Sequence, residues 1–402
     1  MAKAMAMARL PREMVDEVLC RLTVRDLLRY RSVCKEWRSR IDGLDFMKMH
    51  LKRSSQKMGI FINAFLEGLY WVDLETLDSA VQISHLPFSP EEIQRRRPRT
   101  TSILSRGGCS GLLLVEGLGK LAIWNPSTRW HMHVLASGNS VYNSSTSVIG
   151  FGCGTLNDGD PKLLISTAIS LHPRDEIVCG RRFELFSAKT RTWKTLGTGF
   201  PDYFGFEYGH ALVHNCDDHN HNALHWIVAP RLGGVVARHE RFILAFDLVT
   251  EEQRKFSMPN FEGERCSHHK VVEFGGYLCV VCCVVSDSRF DIWAMKEYGE
   301  SSTWAKLFSV VPPPSNGSAT IYFELIPLTY NYKTSDEVLL FVDRKRFILY
   351  DLKTKTSKDV SISGLPAGPS RCFSPKLCVS SLVRVDGAMI SCECNPSCCR
   401  CT

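Results

Sequence analysis

Apolar positions near the start of the chain recur with the period of an α-helix. Within residues 10–51 the first such set is Met14, Val15, Val18, Leu19 and Leu22. Their spacings of one, three and four place a broad apolar stripe on one side of a helix of about three turns. Leu10 and Pro11 open this helix, because proline suits the first helical position. A stripe of this width needs a packing partner.

Two further helices are predicted behind the first. The Thr23-Val24-Arg25-Asp26 pattern is a capping signal for a second helix, which carries Leu27 and Leu28. A third helix carries the apolar residues Val33, Cys34, Trp37 and Ile41 at helical spacing. A module of about forty residues cannot bury all of these side chains within itself. It therefore packs on the rest of the chain or docks on another protein.

From about residue 57 the pattern changes to short β-branched and aromatic runs separated by Gly, Pro, Asn and Asp. One phrase recurs: a strand, a polar turn that carries Thr and a charge, and a second strand. It begins at Tyr70, Ile123, Phe183, Ile243, Asp291 and Phe347. The equivalent turn positions are Thr76, Thr128, Thr190, Thr250, Tyr298 and Thr354. Their spacing of roughly 50 to 60 residues is that of a four-stranded, kelch-type propeller blade.

Further apolar runs lie between these hairpins and are predicted to supply the inner strands. They start at Gly111, Leu163, Ala223, Tyr277 and Glu337. Closing such sheets into a ring protects edges that separate sheets would expose. The predicted fold is therefore α+β multidomain, a small N-terminal three-helix module followed by an all-β propeller of about six blades. One or two β-sandwiches are the competing structure.

Composition and charge favour a soluble globular protein. Of the 402 residues 44% are hydrophobic and 23% charged, with a modest net charge of +7. No apolar run reaches the roughly 18 to 20 residues of a membrane span, and the N-terminus lacks the apolar core of a signal peptide. The basic run at Arg95–Arg99 has no interleaved aromatic residues, which favours a solvated loop over a nucleic-acid patch. We expect a location in the cytoplasm, the nucleus or both.

The cysteines also indicate a reducing compartment, such as the cytoplasm or the nucleus. The 17 cysteines are an odd number without a disulfide-scaffold spacing. Buried, reduced thiols are therefore expected. The examples that lie in apolar runs are Cys34, Cys109, Cys279, Cys282 and Cys283.

The helical segment resembles a plant F-box, because Leu-Pro, Val-Arg-Asp-Leu-Leu and Arg-Ser-Val-Cys-Lys-Glu-Trp-Arg follow one another in the order of that motif. The later phrases GLLLV, IWNPSTR, FELFSAKTRTWKTL, ALHWIVA and LYDLKTKT resemble the F-box-associated region of plant F-box and kelch-repeat proteins. The run Trp293–Gly299 is the most specific of the set. The resemblance divides the chain into residues 1–9 (extension), 10–56 (F-box), 57–390 (propeller) and 391–402 (Cys-rich tail).

This resemblance implies a non-catalytic substrate adaptor of a Skp-cullin-F-box ubiquitin ligase. The F-box would dock on a Skp-family subunit, and through it on a cullin-RING ligase, while propeller loops bind a protein substrate. The expected adaptor-binding residues, some of which must face the module's own interior, are Leu10, Pro11, Met14, Val18, Leu19, Leu22, Leu27, Leu28, Val33 and Trp37. The expected substrate-binding residues, in an aromatic and acidic loop, are Tyr203, Phe204, Phe206, Glu207 and Tyr208. Some of these rings could instead fill a blade core.

Two clusters contain metal-ligand residue types, and neither has the spacing of a metal site. One is His214, Cys216, Asp217, Asp218, His219, His221 and His225, which falls between two strands. The other is the tail with Cys392, Cys394, Cys398, Cys399 and Cys401. We expect no metal and no cofactor, and no nucleophile constellation or phosphate loop is recognisable. The alternatives are an F-box scaffold that acts outside a ligase and a propeller enzyme with a metal or oxidised cofactor.

Overall fold

The computed structural model describes residues 11–54, 58–64, 67–88, 104–117, 119–135, 146–154, 160–170, 178–197, 203–204, 212–214, 222–232, 235–236, 240–261, 265–313, 324–331, 334, 336–366 and 372–385. The helices are α1 (Arg12–Leu19), α2 (Val24–Tyr30), α3 (Lys35–Ile41) and α4 (Leu44–Ser54). The sequence predicted three helices, so α4 is a correction. Its buried residues Phe46, Met47, His50 and Leu51 do follow helical spacing. None of the described helices is long and apolar enough to cross a membrane.

The helix starts follow their capping residues. The Thr23 side chain accepts a hydrogen bond from the Asp26 backbone N–H, which confirms the predicted cap of α2. Pro11 is the N-cap of α1, one position before the first helical residue where it was predicted. Cys34 is exposed and caps α3 through a 3.4 Å contact between its Sγ and the Trp37 backbone N–H. Cys34 is therefore not the buried thiol that the sequence predicted.

The strands form six antiparallel sheets, the blades of a propeller. Blade 1 contains β1 (Met58–Ala64), β2 (Gly68–Asp73), β3 (Ala80–Gln82) and β26 (Phe373–Val379). Blade 2 contains β4 (Leu104–Cys109), β5 (Leu112–Gly117), β6 (Lys120–Trp124) and β7 (His131–Val134). Blade 3 contains β8 (Thr146–Cys153), β9 (Pro161–Ser170), β10 (Val178–Ser187) and β11 (Thr192–Leu196).

The second half of the ring follows the same plan, except that blade 4 has six strands. Blade 4 contains β12 (Tyr203–Phe204), β13 (Leu212–His214), β14 (Ala223–Leu232), β15 (Val235–Val236), β16 (Phe242–Asp247) and β17 (Gln253–Ser257). Blade 5 contains β18 (Cys266–Phe274), β19 (Tyr277–Val284), β20 (Arg289–Met295) and β21 (Trp304–Val310). Blade 6 contains β22 (Leu325–Tyr330), β23 (Glu337–Val342), β24 (Arg346–Asp351) and β25 (Ser357–Val360).

Six innermost strands surround the axis: β26, β4, β8, β13, β18 and β22. The ring closes between the two ends of the domain, since β26 pairs along the whole of β1 from Met58↔Val379 to Ala64↔Phe373. This closure excludes the competing sandwich. The five apolar runs predicted as inner strands lie in β5, β9, β14, β19 and β23, each second from the axis. The innermost strands all end at one face of the propeller. We call it the helical face, because Met58, the first residue of β1 after α4, lies there. The opposite face is called the distal face.

The recurring turn has a physical basis in its first residue. In blade 4 the Asp247 Oδ1 atom accepts hydrogen bonds from the backbone N–H groups of Val249 and Thr250, at 2.7 and 2.9 Å. Asp73, Asn125 and Asp351 accept similar bonds in their blades. The residue that follows the threonine is left-handed in five blades: Leu77, Arg129, Arg191, Glu251 and Lys355. Blade 5 differs, because its connection contains Gly299 and a 3-10 turn at Ser301–Thr303, so Tyr298 is not the equivalent predicted.

Gly275 and Gly276 form a tight turn in blade 5. Both have positive φ values, of 60° and 80°, and they join β18 to β19 directly between Phe274 and Tyr277. An added Cβ on Gly275 would lie 2.9 Å from the Tyr330 ring. Both glycines are therefore required by the turn.

One disulfide corrects the expectation that all thiols are reduced. Cys109 and Cys153 end β4 and β8, two innermost strands in contact with each other, so their Cα atoms lie 6.0 Å apart and a disulfide joins them. The sequence could not indicate this pair because 44 residues separate them. The thiols of Cys279, Cys282 and Cys283 are free and buried as predicted.

Candidate docking surfaces

The helical module buries part of the apolar set predicted to bind an adaptor. Leu19 is 2% exposed and Leu27 is 0% exposed, and both pack in the core of the module with Ile41 and Phe46. Leu19 and Leu27 are therefore among the predicted residues that face the interior of the module, because a side chain without exposed surface cannot contact a partner of the folded module. Leu22, Leu28 and Trp37 lie at the edge of that core and are half-buried.

An exposed apolar face remains on α1. Met14 and Val18 are each 55% exposed, and their i, i+4 spacing puts them on one face together with the exposed Pro11. The other side of α1 is fixed to α3, because Arg40 Nη1 donates hydrogen bonds to the Asp16 carboxylate at 2.8 Å and to the Arg12 carbonyl at 2.9 Å. We call Pro11, Met14 and Val18 the α1 face.

The turn between α2 and α3 presents a second exposed apolar group. Val33 is 63% exposed, and the nearby Tyr30 and Trp37 rings meet edge to face at 5.5 Å between centroids. Sequence reasoning missed Tyr30 and also Leu44 and Met49, which are exposed apolar residues of the same module. Tyr30 lies on a predicted helix, but helical spacing does not show which side faces solvent. Leu44 and Met49 lie on α4, which was not predicted. Leu10 lies outside the described residues.

Ion pairs hold these helices in place. Arg31 makes a bidentate contact with the Asp42 carboxylate at 2.6 and 2.8 Å, which ties the end of α2 to the end of α3. Arg53 and Arg21 both contact Glu17 and lower the pKa of its carboxyl. Burial lowers the pKa of His50, whose Nε2 lies 3.0 Å from the Leu22 carbonyl oxygen. A neutral His50 therefore donates this bond and fixes α4 against the first turn of the module.

The chain beyond β26 joins the helical module to the propeller. We call residues 380–385 the clasp. Its residues alternate as in an extended strand. Leu382 is buried in the core of the helical module, whereas Val385 is buried between blades 2 and 3. Arg384 on the module side lies 3.9 Å from the Asp42 carboxylate.

Asn125 secures the clasp from the propeller side. Its Nδ2 atom lies 3.0 Å from the Ser381 carbonyl oxygen and 2.8 Å from that of Val383, and the residue is fully buried. Gly111 makes room for the clasp, because an added Cβ there would lie 2.3 Å from Ser381 Oγ. The helical module is therefore held in a defined orientation on the helical face.

We predict that Asn125→Ala loosens the clasp. The change leaves the Ser381 and Val383 carbonyl oxygens buried without their donor, which should lower the free energy of unfolding by about 1–3 kcal/mol. Hydrogen exchange of residues 380–385 should rise in this variant. Ser127→Ala is the matched control, since it removes only the 2.9 Å contact between Ser127 and Ser380 hydroxyls. Unchanged exchange in Asn125→Ala would show that the clasp is held by other contacts.

The predicted substrate loop begins at the distal face. Backbone pairing places Tyr203 opposite Pro230 and Phe204 opposite Ala229, at the distal end of β14. Phe206, Glu207 and Tyr208 lie outside the described residues. Tyr203 and Phe204 therefore lie at the propeller face opposite the helical module.

Most of the two clusters of metal-ligand residue types lies outside the described residues: Cys216 to His221 in the first cluster and the whole cysteine tail. His225 is fully buried in β14, and its Nε2 lies 2.9 Å from the Tyr298 hydroxyl, as for a structural core residue. Where the chain is described, no group of three or more His, Cys, Asp or Glu side chains could hold a metal ion.

Comparison with known families agrees with this geometry. Residues 7–49 match the F-box domain, and residues 59–385 match the F-box associated beta propeller domain. The chain therefore belongs to the F-box proteins that carry an F-box associated β-propeller, which confirms the resemblance seen in the sequence.

The chain is similar to several proteins of Arabidopsis thaliana. It is 29% identical to the F-box protein CPR1 over 392 residues, covering 94% of this chain and 89% of the relative. It is 26% identical to the F-box protein At4g22390, covering 94% and 90%. The F-box/kelch-repeat protein At3g23880 is 22% identical, with 75% and 79% covered.

Proposed function

We propose that this protein is the substrate-recognition subunit of a Skp-cullin-F-box ubiquitin ligase. Its F-box docks on a Skp-family adaptor, its propeller binds a protein substrate, and the cullin-RING subunits supply the catalysis. The observation that carries the proposal is the exposed α1 face on a matched F-box domain. We place this activity in the cytoplasm, the nucleus or both.

The burial pattern favours docking by helix faces. The interior of the F-box is already closed by its own residues and by Leu382 of the clasp. Adaptor binding therefore covers side chains that are exposed in the free protein, such as Met14, Val18 and Val33. Apolar helix faces of this kind fit a hydrophobic groove on a partner.

The clasp and the ring give the proposed complex a fixed geometry. Because the F-box is held at the helical face, an adaptor bound there leaves the distal face free. We propose that the substrate binds at the distal face, where the loop around Tyr203 and Phe204 is tied to β14. Loops on a rigid scaffold are the usual carriers of variable recognition.

Co-expression with a Skp-family adaptor tests this proposal. We expect the full chain to elute with the adaptor as one complex and, with cullin-RING subunits added, to promote ubiquitination of a bound protein. Proximity labelling with and without proteasome inhibition identifies candidates, because substrates accumulate only under inhibition. A chain that does not bind the adaptor contradicts the proposal. A chain that binds the adaptor but changes the turnover of no labelled neighbour is the scaffold of the alternative hypothesis.

A further inference from the structure

Two free thiols meet at the distal end of blade 5. The Sγ atoms of Cys266, at the start of β18, and Cys282, on β19, lie 3.3 Å apart. Because the innermost strands end at the helical face, the start of β18 lies at the distal face. A disulfide bond is about 2.05 Å long, so the two sulfurs need to approach each other by roughly 1.2 Å to be joined. The proposed adaptor function makes no use of this pair.

A β-bulge in β18 brings the two side chains together. Cys266 pairs with Val284 and His269 pairs with Cys282, so β18 has two residues where β19 has one. Alternate residues of a strand point to the same face of a sheet, which puts Cys282 and Val284 on one face. Cys266 is opposite Val284 and shares that face. Cys266 and Cys282 are therefore diagonal neighbours with the bulge between them.

The two thiols differ in their exposure. Cys282 is 0% exposed and belongs to an apolar cluster with Val284 and Trp293, whereas Cys266 is half-buried at the edge of that cluster. The contact with Cys266 raises the pKa of the Cys282 thiol, and burial raises it further. Cys282 is therefore protonated at neutral pH and shielded from solvent, so a soluble oxidant reaches Cys266 first.

Zinc is the other common partner of paired thiols, and it fits this pair less well. A structural zinc ion takes four ligands in a tetrahedral arrangement. In the part of the chain that the structure describes, no group of three or more His, Cys, Asp or Glu side chains could hold a metal ion. The pair therefore has the composition of a disulfide site and not that of a zinc site.

We propose that Cys266 and Cys282 are a modification site at which hydrogen peroxide converts two thiols into a disulfide. The Cys266 thiol is oxidised to a sulfenic acid, which keeps one peroxide oxygen while the other leaves as water. The Cys282 sulfur then attacks the Cys266 sulfur, the S–O bond breaks, and the hydroxyl group leaves with the Cys282 proton as a second water. The two thiols lose two electrons, which reduce the peroxide. The short distance makes the second step intramolecular.

A bond between the two sulfurs would fix one wall of a cavity at the distal face. The cavity measures about 440 Å³ and lies between blades 5 and 6, and its lining includes His268 and His269 of β18 and Arg344 of the β23–β24 turn. His268 lies in the bulge and His269 directly after it, so a link from Cys266 to Cys282 spans the segment that carries both. Oxidation should therefore stiffen this wall. Its effect on substrate rests on the proposed function, which assigns the substrate to the distal face.

Peptide mapping of the full chain, purified under reducing conditions and then treated with hydrogen peroxide, tests the proposal. Trypsin cleavage after Lys270 separates Cys266 from Cys282 and gives the peptides 266–270 and 271–289. We expect these peptides to become linked and to separate again after reduction with dithiothreitol. Alkylation of Cys266 by iodoacetamide in the folded protein should fall at least about tenfold on oxidation. Hydrogen exchange of residues 266–270 should fall as well, because the link holds the bulge.

Two serine variants identify the second thiol. The peptide 271–289 contains Cys279, Cys282 and Cys283, so its mass alone does not show which sulfur is linked. Cys282→Ser should abolish the link. Cys283→Ser is the matched control and should keep it, because Cys283 is also buried but lies on the opposite face of the strand. Both variants replace a buried thiol by a hydroxyl, so a difference between them reports the link and not the cost of the substitution.

The outcomes that would overturn the proposal are distinct. One is a link from Cys266 to a cysteine other than Cys282, or a link that persists in Cys282→Ser. Another is oxidation of Cys266 to a sulfinic acid without any link, or peroxide treatment that leaves both thiols reduced. Each result is measured from peptide masses and not from adaptor binding or ubiquitination. The proposed ligase function can therefore hold or fail independently of this test.

Discussion

A chain that ends at residue 371 will not form a stable propeller. The deletion removes β26, the innermost strand of blade 1, and leaves the whole of β1 without its partner from Met58 to Ala64. It also exposes the apolar cluster in which Phe373 packs with Ile60, Ile62 and Phe341, between blades 1 and 6. Because the ring loses its closure, we expect the loss of cooperative unfolding in the entire domain and strong binding of an apolar dye.

A chain that ends at Ile390 is the control for this deletion. It keeps β26 and the clasp and removes the cysteine-rich tail, so its thermal unfolding and adaptor binding should match those of the full chain. Equal behaviour would also support the predicted boundary at residue 390. If the chain that ends at residue 371 remains soluble and unfolds cooperatively, the blades are stable without closure, and the ring has less energetic importance than we infer.

The closure strand shows where sequence reasoning stops. The outer hairpins were predictable because an Asp or Asn at the turn, a threonine and alternating strands are local signals. The pairing of β26 with β1 joins residues more than 300 positions apart, and no local pattern specifies it. The innermost strand β4, with the sequence LSRGGC, contains two glycines and carries a weak strand signal.

The candidate docking site was predictable in its residue types and not in its orientation. Periodicity identified the apolar stripe, but Leu19 and Leu27 face the core, whereas Met14 and Val18 face solvent. Three-dimensional packing decides this division, because α3 and α4 cover one side of α1 through Arg40 and Arg53. The burial of Leu382 in the same core was not foreseen, since it depends on where the ring closes.

Because Met14 and Val18 face solvent, charged substitutions at these two positions test whether the α1 face binds the adaptor. The double variant Met14→Glu with Val18→Lys replaces two apolar side chains that are each 55% exposed. A Glu–Lys pair at i, i+4 supports a helix by about 0.2–0.5 kcal/mol, so α1 should stay folded. Two charged groups buried in an apolar interface should nevertheless weaken adaptor binding by at least about 100-fold, or roughly 3 kcal/mol.

Two further variants distinguish a loss of adaptor binding from a loss of folding. Val285→Lys changes a valine that is 58% exposed in the β19–β20 turn at the distal face, and it should leave adaptor affinity unchanged. Leu27→Ala removes a core side chain and should destabilise the F-box by about 2–5 kcal/mol, so its effect on binding would appear together with a lowered thermal midpoint. The α1 double variant should lose binding with an unchanged midpoint. Adaptor affinity equal to that of the wild type in this variant would show that the α1 face is not the docking surface.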